Sequence, residues 1–409
     1  MLTMKILLVN KYFFMKGGSE RVFLNEAELL RKRGHCVLFF SMADERNLPA
    51  AESGYFVNRI DYADPGHFGK RMAAGLRIFY SFEAAKKLGR LLDQEKPDLA
   101  HLHNIHHQLS PSILPVLRSR RVPVVMTLHD YKMVCPAYLM ISEGRPCERC
   151  RGGRYYQCLL RRCTKGSYAK SLINAIEMYL HHTILDLYRM VNIFISPSRF
   201  LREKLLAMGF RKKIIHLPYS FDVRSYRPCY GSTDGSVCYF GRLAGEKGLF
   251  TLLDAMEGVA APLKIIGNGP IEDDLRARAG SARMPAVRFL GHRSGEELIS
   301  EIAASRVVVV PSEWYENCPS SVLEAFALGK PVIGSRIGGI PELVRDGETG
   351  LTFTPGDAGD LREKLKTLLN NPGLGAGLGQ AGRKYVESNL DPARYYPELF
   401  GVYRQAGAR

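Results

Sequence analysis

The stretch from Val307 to Ser335 constrains the fold more than any other part of the sequence. Two short runs, VVVV and PVIGS, are rich in β-branched residues and bounded by Pro and Gly, which is typical of buried parallel strands. Between them, Ser320–Leu328 places apolar residues on one face of a predicted helix. Pro319 suits the first turn of that helix, where a missing N–H costs nothing. The unit is therefore strand, loop, helix, strand.

The loop before this helix predicts an anion site. Unpaired backbone N–H groups and the helix dipole attract a phosphate to a helix N-terminus. Glu316 precedes the helix and Glu324 lies inside it, so two carboxylates flank the site. A ligand with both phosphate and hydroxyl groups, such as a nucleotide sugar, suits this combination. The alternative is a solvated helix that carries two surface acids.

The E-x7-E pattern from Glu316 to Glu324, followed by Gly-Lys-Pro-Val-Ile, resembles the retaining glycosyltransferases of family 4 (glycosyltransferase group 1). The resemblance implies the GT-B fold, an α/β architecture of two Rossmann-like domains whose parallel sheets face a central cleft. It also implies a C-terminal helix that returns to the first domain. The expected boundaries are 1–218 for the acceptor domain, 219–390 for the donor domain and 391–409 for the last helix.

Length and composition agree with two globular domains. The 409 residues exceed one ordinary core, and 46% are hydrophobic while 24% are charged. No apolar run reaches the roughly 18–20 residues that span a bilayer. The N-terminus begins as a strand rather than a signal peptide, so we expect a cytoplasmic chain with reduced cysteines.

The net charge of +16 favours an anionic partner. We expect a lipid-linked acceptor and peripheral contact with the cytoplasmic face of the inner membrane, rather than nucleic acid. A basic amphipathic helix is predicted over Phe68–Leu92. This helix could face the membrane or pack on the core with a solvated outer face.

A second phosphate-binding pattern follows the strand predicted at Val237–Gly241. Arg242 and Lys247 resemble the family's G-R-x-x-x-x-K-G clamp, and a planar guanidinium and a compact ammonium both suit a diphosphate. The alternative is an ordinary basic loop. The resemblance assigns the ribose to Glu324, the sugar hydroxyls to Glu316 and the base to a later loop. The donor-site residues that it implies are Gly17, Gly18, Gly269, Leu290, His292, Asn317, Cys318, Pro319, Ser320, Ser321 and Glu324.

Two predicted strands of the first half end in histidines. Asp98–His103 leads into HLHNIHH, and Val122–Leu128 delivers His129 and Asp130 to the same edge, where α/β ligands bind. In related transferases a histidine at the position of His129 contacts the transferred sugar, and Asp130 could orient its imidazole. We disfavour a histidine metal site because no carboxylate or cysteine accompanies the run. The predicted acceptor residues are His103, Asn104 and Asp130, and the predicted catalytic residues are His129, Arg242, Lys247 and Glu316.

The segment 135–163 holds five of the nine cysteines, including a C-x2-C pair. In a reducing compartment this clustering favours tetrahedral zinc over disulfides, and a structural metal would stabilise a segment with few large apolar residues. An iron–sulfur cluster and uncoordinated thiols are the alternatives. Some family 4 members resemble this stretch. The resemblance implies structural zinc on Cys135, Cys147, Cys150 and Cys163, with Cys158 as the alternative ligand.

Together these patterns predict a metal-independent retaining glycosyltransferase that uses a UDP- or GDP-sugar. The chain has no D-x-D triplet, so the basic pair and the helix end would replace a catalytic cation at the diphosphate. The expected acceptor is a glycan or lipid-linked glycan in surface polysaccharide assembly. Two other functions compete, a non-hydrolysing nucleotide-sugar epimerase and a non-enzymatic basic binder of nucleic acid. A G-x-G-x-x-G match at 377–382 is rejected as a cofactor site because it follows a helix rather than a strand.

Overall fold

The computed structural model describes residues 3–60, 75, 77–281 and 286–408. The chain divides into two compact units. Unit 1 comprises Met1–Leu139, Glu148–Ser220 and Pro392–Arg409, and unit 2 comprises Met140–Cys147 and Phe221–Asp391. The chain therefore passes between units after Ser220 and after Asp391, and part of the cysteine-rich segment is assigned to unit 2.

Strands and helices are numbered along the whole chain. The strands are β1 (Lys5–Val9), β2 (Cys36–Phe40), β3 (Leu99–Leu102), β4 (Val124–Thr127), β5 (Ile141–Ser142), β6 (Arg145–Pro146), β7 (Ile193–Ser196), β8 (Ile214–His216), β9 (Val237–Phe240), β10 (Leu263–Ile266), β11 (Val287–Gly291), β12 (Val307–Val310), β13 (Val332–Ser335) and β14 (Gly350–Phe353). The described helices are α1 (Gly18–Lys32), α2 (Phe82–Glu95), α3 (Ile113–Ser119), α4 (Tyr156–Leu160), α5 (Tyr168–Tyr179), α6 (Arg199–Ala207), α7 (Leu249–Met256), α8 (Glu272–Ser281), α9 (Gly295–Ala304), α10 (Ser320–Ala327), α11 (Ile340–Leu343), α12 (Ala358–Asn370), α13 (Pro372–Asn389) and α14 (Pro392–Ala406). Among the described helices, none combines the length and the apolar character needed to cross a membrane.

Each unit contains a six-stranded sheet whose strands are all parallel. The order is β2-β1-β3-β4-β7-β8 in unit 1 and β11-β10-β9-β12-β13-β14 in unit 2. β5 and β6 form a separate antiparallel hairpin. In both large sheets the order reverses beside the first strand, between β1 and β3 and between β9 and β12. Ligands of open α/β sheets bind beyond the carboxyl ends of strands at such a reversal.

The strands of unit 2 bury both of their faces. Val237, Val307 and Val309 pack into one apolar cluster, while Cys238 and Val308 pack into another on the opposite face of the sheet. Successive side chains of a strand point to opposite faces, so a strand without polar residues needs cover on both. The run of four valines therefore predicted a buried parallel strand correctly.

The C-terminal helix α14 completes the core of unit 1. Its inward side chains include Tyr395, Leu399 and Tyr403, which pack with residues of β1 and α1. Tyr396 also places its hydroxyl 2.7 Å from Nε2 of the buried His35. The predicted return of this helix to the first domain is confirmed, and with it the predicted α/β fold of two Rossmann-like domains.

Local boundaries differ from the sequence predictions in two places. Helix α10 ends at Ala327, and Pro319 is the residue before the helix rather than part of its first turn. The helix predicted over Phe68–Leu92 falls partly outside the described residues. In its described part the prediction of one continuous helix is wrong, because Tyr80 and Ser81 are not helical. Ser81 instead caps α2, accepting a hydrogen bond from the Ala84 N–H at 3.2 Å.

Gly248 permits a close approach between the loops that follow β9 and β12. It precedes α7 with a positive φ of 67°, and a Cβ placed there would lie 1.9 Å from the Pro311 carbonyl oxygen. Gly258, at the other end of α7, has a similar φ of 74° but nothing within 4 Å of an added Cβ. A comparison of substitutions at the two glycines therefore distinguishes the cost of backbone strain from the cost of a steric clash.

We expect Gly248→Ala to lower the free energy of unfolding by about 1–3 kcal/mol more than Gly258→Ala, because both pay the cost of a left-handed conformation but only the first must displace backbone. Urea unfolding of the two variants measures the difference. Equal losses would mean that the two loops do not approach each other as closely as described.

Candidate active site

Three of the four predicted catalytic residues lie beyond the carboxyl ends of β9 and β12 in unit 2. Arg242 follows β9 after one glycine, and Lys247 ends the short turn Gly245–Lys247 that leads into α7. Glu316 lies in the loop between β12 and α10. Because these two strands flank the reversal of strand order, the sheet brings residues far apart in sequence to one edge.

Lys247 and Glu316 form an ion pair. Their Nζ and Oε1 atoms are 2.5 Å apart, and Ser312 donates a second hydrogen bond to the same oxygen at 2.7 Å. Burial alone would raise the pKa of Glu316, but the Lys247 ammonium and these hydrogen bonds outweigh it and hold the pKa below its ordinary value. Glu316 is therefore a buried carboxylate at neutral pH, and it fixes the position of the ammonium.

Arg242 has a different environment. Its side chain is exposed, and it forms no ion pair with a carboxylate in the part of the chain that the structure describes. The Tyr239 hydroxyl donates to the Arg242 carbonyl oxygen at 2.8 Å and so holds the backbone of this residue. The guanidinium is thus a cation presented at the strand end, whereas Lys247 is already partly neutralised.

A glycine pair that the sequence patterns did not identify contacts the backbone of Glu316. Gly338 and Gly339 follow β13, and the Gly339 N–H donates to the Glu316 carbonyl oxygen at 2.7 Å. A Cβ on Gly338, whose φ is 62°, would lie 2.3 Å from that oxygen. The signal was present in the sequence, since a Gly-Gly pair directly after a predicted strand often marks a close backbone approach.

The start of α10 contributes backbone and small polar groups. Asn317 and Cys318 lead into the helix, and Ser320 and Ser321 form its first turn. Burial raises the pKa of the Cys318 thiol to about 12, so this cysteine is not a nucleophile at neutral pH. Glu324 lies one turn further along and is buried. Four predicted residues therefore stand at the N-terminus of an eight-residue helix whose first N–H groups lack helical partners.

The loops after β10 and β11 carry the remaining predicted donor residues. Gly269 sits so close to the loop after β9 that a Cβ would lie 2.0 Å from the Leu243 carbonyl oxygen. Leu290 is half-buried in β11 and His292 is exposed just beyond it. β10 pairs with β9 and β11 pairs with β10, so the predicted donor residues of unit 2 lie along the carboxyl ends of four neighbouring strands or in and just before α10.

In unit 1 the Gly-Gly loop stands at the corresponding position. Gly17 precedes α1 and Gly18 begins it, so the loop connects β1 to the helix beside the reversal of strand order. The Asn10 side chain, which sequence reasoning missed, ties this loop to β3. Its amide donates to Glu20 at 3.4 Å, and its oxygen accepts from the Asn104 N–H at 3.0 Å.

His129 belongs to a chain of buried side chains. Its Nε2 lies 2.9 Å from Nδ1 of His103, and its Nδ1 lies 2.8 Å from the hydroxyl of Tyr219. Nε2 of His103 in turn faces Glu26 at 3.6 Å. Both nitrogens of His129 are thus oriented by His103 and Tyr219. The expectation that Asp130 orients this imidazole is wrong, since the Asp130 carboxylate instead accepts from the Lys132 N–H at 2.8 Å.

Glu26 sets the direction in which hydrogen bonds are donated along this series of side chains. Burial by itself would raise the pKa of Glu26, but His101 at 2.5 Å and His103 hold the pKa well below its ordinary value. Burial lowers the pKa of both His103 and His129, so both rings are neutral. A nearby carboxylate favours a proton on the nitrogen that faces it, so Glu26 at 3.6 Å favours the His103 tautomer that has its proton on Nε2 and accepts at Nδ1. His129 then donates from Nε2 and accepts the Tyr219 hydroxyl at Nδ1.

A cavity of about 790 Å³ opens in unit 1 beside these strand ends, and Asn104 and Asp130 line it. Burial raises the pKa of Asp130. The cavity is also rich in cations. Arg46 and Arg59 pair with Asp44, and Lys132 pairs with the buried Glu177. The lining cations that form no ion pair with a carboxylate within the described ranges are Lys11, Lys16, Lys165 and Lys170.

Two family models match this chain. The model of Glycosyltransferase Family 4 matches residues 16–223, more than half of the chain, and that of Glycosyl transferases group 1 matches residues 231–385. The chain belongs to glycosyltransferase family 4. The first match covers the Gly-Gly loop and the histidine chain, and the second covers the Lys247–Glu316 pair.

Curated relatives of this family 4 chain match over part of their length. The chain is 33% identical to sulfoquinovosyl transferase SQD2 of Arabidopsis thaliana over 219 residues, which are 49% of this chain and 42% of that protein. It is 32% identical to a GDP-mannose-dependent phosphatidylinositol monomannoside mannosyltransferase of Corynebacterium glutamicum over 46% of this chain and 55% of that one. The chain thus spans about half the length of these relatives.

Solved structures match over nearly the whole chain. Sucrose-phosphate synthase from Thermosynechococcus elongatus superposes with a TM-score of 0.73 at 20% identity, covering 98% of both chains. HepE of Anabaena, in complex with UDP and glucose, superposes with a TM-score of 0.69 at 19% identity, covering 98% of this chain and 99% of that one. At this identity the likeness shows the fold.

One set of three side chains among the described residues brings potential metal ligands together. Oxygen and nitrogen atoms of Glu26, His101 and His103 all lie within 4.8 Å of one another. His101 Nδ1 lies 2.5 Å from Glu26, which also accepts hydrogen bonds from Tyr395 at 2.9 Å and Tyr403 at 3.4 Å. We interpret the set as a hydrogen-bonded buried carboxylate.

The cysteine-rich segment forms a looser cluster. All its cysteines are free thiols. The pKa of Cys158 is lowered, chiefly by a hydrogen bond from Cys163, while Cys135 and Cys150 are near enough to raise it. These four belong to unit 1, whereas Cys147 lies in the Met140–Cys147 segment of unit 2. Cys158, the alternative ligand of the sequence prediction, therefore has Cys163 as a hydrogen-bond partner and lies near Cys135 and Cys150.

Burial of neutral histidines makes unit 1 sensitive to acid. Burial lowers the pKa of His103, His106, His129, His181 and His182, the last to about 3. When the folded pKa lies below the unfolded value of about 6.5, the unfolded state gains protons first as the pH falls. Each such histidine therefore reduces stability below about pH 6.5, by roughly 1.4 kcal/mol per pH unit.

We expect the melting temperature to fall between about pH 7 and pH 5, before the carboxylates of Glu26 and Glu177 are protonated. His182→Gln should flatten this dependence, and His292→Gln, which changes an exposed histidine, should leave it as it is. Thermal unfolding of the unaltered chain and of the two variants, measured across this pH range, tests the prediction. A melting temperature independent of pH would contradict the burial of neutral histidines.

Proposed function

We propose that this chain is a glycosyltransferase that moves a sugar from a nucleotide diphosphate sugar to a hydroxyl of an acceptor. The observation that carries the proposal is the cationic strand edge of unit 2, where Arg242 and the Lys247–Glu316 pair stand at the reversal of strand order beside the start of α10. Membership of family 4 supports it. The Arabidopsis, Corynebacterium and other relatives, which are named as transferases of several sugars, support it further.

The donor is proposed to be a UDP- or GDP-sugar. Arg242 would grip the diphosphate, and the N–H groups at the start of α10 would add further donors. A phosphate near Lys247 would share the ammonium with Glu316, which leaves the carboxylate free to accept from a sugar hydroxyl. Glu324 is proposed to accept from the ribose. The solved complex of HepE with UDP and glucose supports a uridine donor, and the GDP-mannose-dependent relative supports a guanosine one.

Catalysis of this sugar transfer depends mainly on stabilising the negative charge that develops on the departing diphosphate. The bond from the anomeric carbon to the diphosphate oxygen breaks, its electron pair leaves with the diphosphate, and the acceptor oxygen bonds to the anomeric carbon. We propose retention of configuration, in which case the acceptor approaches beside the leaving group and its proton passes to a phosphate oxygen. Fixed cations and helix N–H groups then stabilise the departing anion, which is typically the largest catalytic term. We propose that no metal ion is required.

The acceptor is proposed to be an anionic glycan or lipid-linked glycan of surface polysaccharide assembly. The cavity of unit 1 supports this choice, since four lysines line it without an ion pair to a described carboxylate. Asn104 and Asp130 would contact the acceptor there, and His129, held by His103 and Tyr219, is proposed to contact the transferred sugar. Neither an epimerase nor a nucleic-acid binder gains support from the family match.

Replacing Arg242 by glutamate is expected to reduce sugar transfer about 100-fold or more, equivalent to roughly 3 kcal/mol, because it removes one charge-stabilising group and adds a repulsive one. Arg242 is a better target than Lys247, whose loss would leave Glu316 buried without its partner. Thermal shift against UDP-, GDP- and ADP-sugars first selects the donor. Transfer is then measured in EDTA, where we expect the unaltered chain to remain active.

Lys366→Glu is the matched control. It makes the same change of charge on an exposed residue of α12, paired only with Glu363 at 3.2 Å. We expect unchanged transfer from this variant. Full activity of Arg242→Glu, or dependence of the unaltered chain on a divalent metal, would refute the proposed clamp.

We also propose a structural zinc in the cysteine-rich segment, held by Cys135, Cys150, Cys158 and Cys163. Thiolate ligands suit zinc, and the hydrogen bond from Cys163, which lowers the pKa of Cys158 from its ordinary value, favours the thiolate of Cys158. This choice takes the alternative ligand of the sequence prediction in place of Cys147. When bound, zinc would hold together a segment rich in Gly and Arg.

Metal analysis of the purified chain should find about one zinc per chain. Cys158→Ser should lose it, whereas Cys147→Ser and the buried Cys238→Ser of unit 2 should retain it. A chain without zinc, or loss of zinc from Cys147→Ser alone, would overturn the proposed ligand set.

A further inference from the structure

Exposed apolar side chains concentrate on one short part of unit 1. Of the fourteen large apolar side chains that are exposed in the described part of the chain, seven lie between Tyr156 and Leu185. Six of them form what we call the apolar ridge: Tyr156, Leu160, Tyr168, Leu172, Ile176 and Ile184. Monomeric proteins rarely expose contiguous apolar surface without a use for it.

Five of the six ridge residues lie on two helices, and Ile184 follows the end of the second. Tyr168, Leu172 and Ile176 recur every four residues, so they share one face of α5. The Tyr156 N–H at the start of α4 donates to the hydroxyl of Tyr179 at the end of α5. At the other end, the Arg162 guanidinium lies 5.2 Å from the ring of Tyr168. Helices α4 and α5 therefore run side by side in opposite directions, with their apolar residues on a shared surface.

The opposite face of α5 is anchored in unit 1. Lys132 donates to Glu177 at 2.7 Å, and Asn174 donates to the Pro136 carbonyl oxygen at 3.4 Å. Asn174 and Lys170 also line the cationic cavity. One helix thus presents apolar residues outward and polar residues to the cavity. The ridge is not an uncovered part of the hydrophobic core, because the side of α5 that faces the core is already packed.

The charge around the ridge is mainly positive. From Glu148 to Asp186 the sequence contains seven Lys and Arg residues, of which Lys165 and Lys170 line the cavity, and three acidic residues. Glu148 and Asp186 form ion pairs with Lys204 and Lys212. Glu177 is buried and paired with Lys132, so it contributes nothing to the outer surface. Long basic side chains can keep their charge at a polar boundary while their stems cover apolar surface. An apolar strip edged by cations and tyrosines matches an interface that is apolar inside and anionic outside.

We propose that the apolar ridge docks on an anionic lipid bilayer, with the leucine and isoleucine side chains in the acyl boundary and the flanking Arg and Lys at the phosphate level. This surface differs from the basic helix that the sequence predicted over Phe68–Leu92. It rests on the proposed function in one respect, since docking would hold the cavity on the other side of α5 one helix diameter, roughly 10 Å, from the membrane and so near a lipid-linked acceptor. A second copy of the chain fits less well, because it would oppose cations to cations.

The test is co-sedimentation of the full chain with vesicles, measured without donor sugar. We expect binding to vesicles of phosphatidylcholine mixed with phosphatidylglycerol, and little binding to phosphatidylcholine alone. Leu172→Glu should weaken binding at least about tenfold, because it places a charge in the acyl boundary. Arg161→Gln combined with Arg162→Gln should weaken binding to the anionic vesicles and reduce its dependence on salt.

Leu374→Glu provides the matched control. Leu374 in unit 2 is 41% exposed and Leu172 is 43% exposed, so the same substitution is made at equal exposure on another surface. Equal binding by the two glutamate variants, or equal binding to both kinds of vesicle, would overturn the proposal. So would a chain that ignores vesicles but self-associates through Leu172, as judged by its mass in solution. Donor binding by thermal shift is measured without lipid, so failure of the proposed function would be seen separately.

Discussion

The reversal of strand order in each parallel sheet is the constraint on which the candidate site depends. A parallel sheet sends every strand end to the same edge, and at the reversal the helices leave to opposite faces and open a crevice. In unit 2 this edge carries Arg242, Lys247 and Glu316, and in unit 1 it carries Gly17, His103 and Asn104. Within each unit the sheet brings together segments that are distant in sequence, such as Lys247 and Glu316 in unit 2.

Each unit also holds a buried carboxylate near this edge, stabilised by different means. Glu316 is neutralised by the ammonium of Lys247, a cation that a diphosphate could share. Within the described residues Glu26 forms no ion pair with a lysine or arginine, and it depends on His101 and two tyrosine hydroxyls. A buried charge is stable only with such partners. The first arrangement is suited to exchange with a ligand, while the second is suited to holding His103 and His129 in one orientation.

Sequence reasoning found the residues whose type and spacing express local chemistry. The four valines of β12, the helix after Pro319 and the basic pair after β9 all lie where the pattern placed them. It missed Asn10, Glu26 and Tyr219, which act through partners up to hundreds of positions away, as Glu26 does with Tyr395. The expectation for Asp130 was also wrong. Asp130 is the neighbour of His129 in sequence, but His103, which follows the adjacent strand β3, is the side chain that lies against His129.

The sequence by itself determined the fold class, the family and the loops that carry the chemistry, because strand and helix periodicity, glycine turns and charged motifs are local properties of the chain. Only the tertiary structure decided which charges neutralise each other, which histidine nitrogens point toward one another, and which apolar side chains stay uncovered. Those outcomes depend on distances between residues that the sequence separates, and on burial, which the whole packed unit sets. The ridge on α4 and α5 illustrates this, since its leucines and isoleucines resemble core residues in the sequence and are exposed only in the fold.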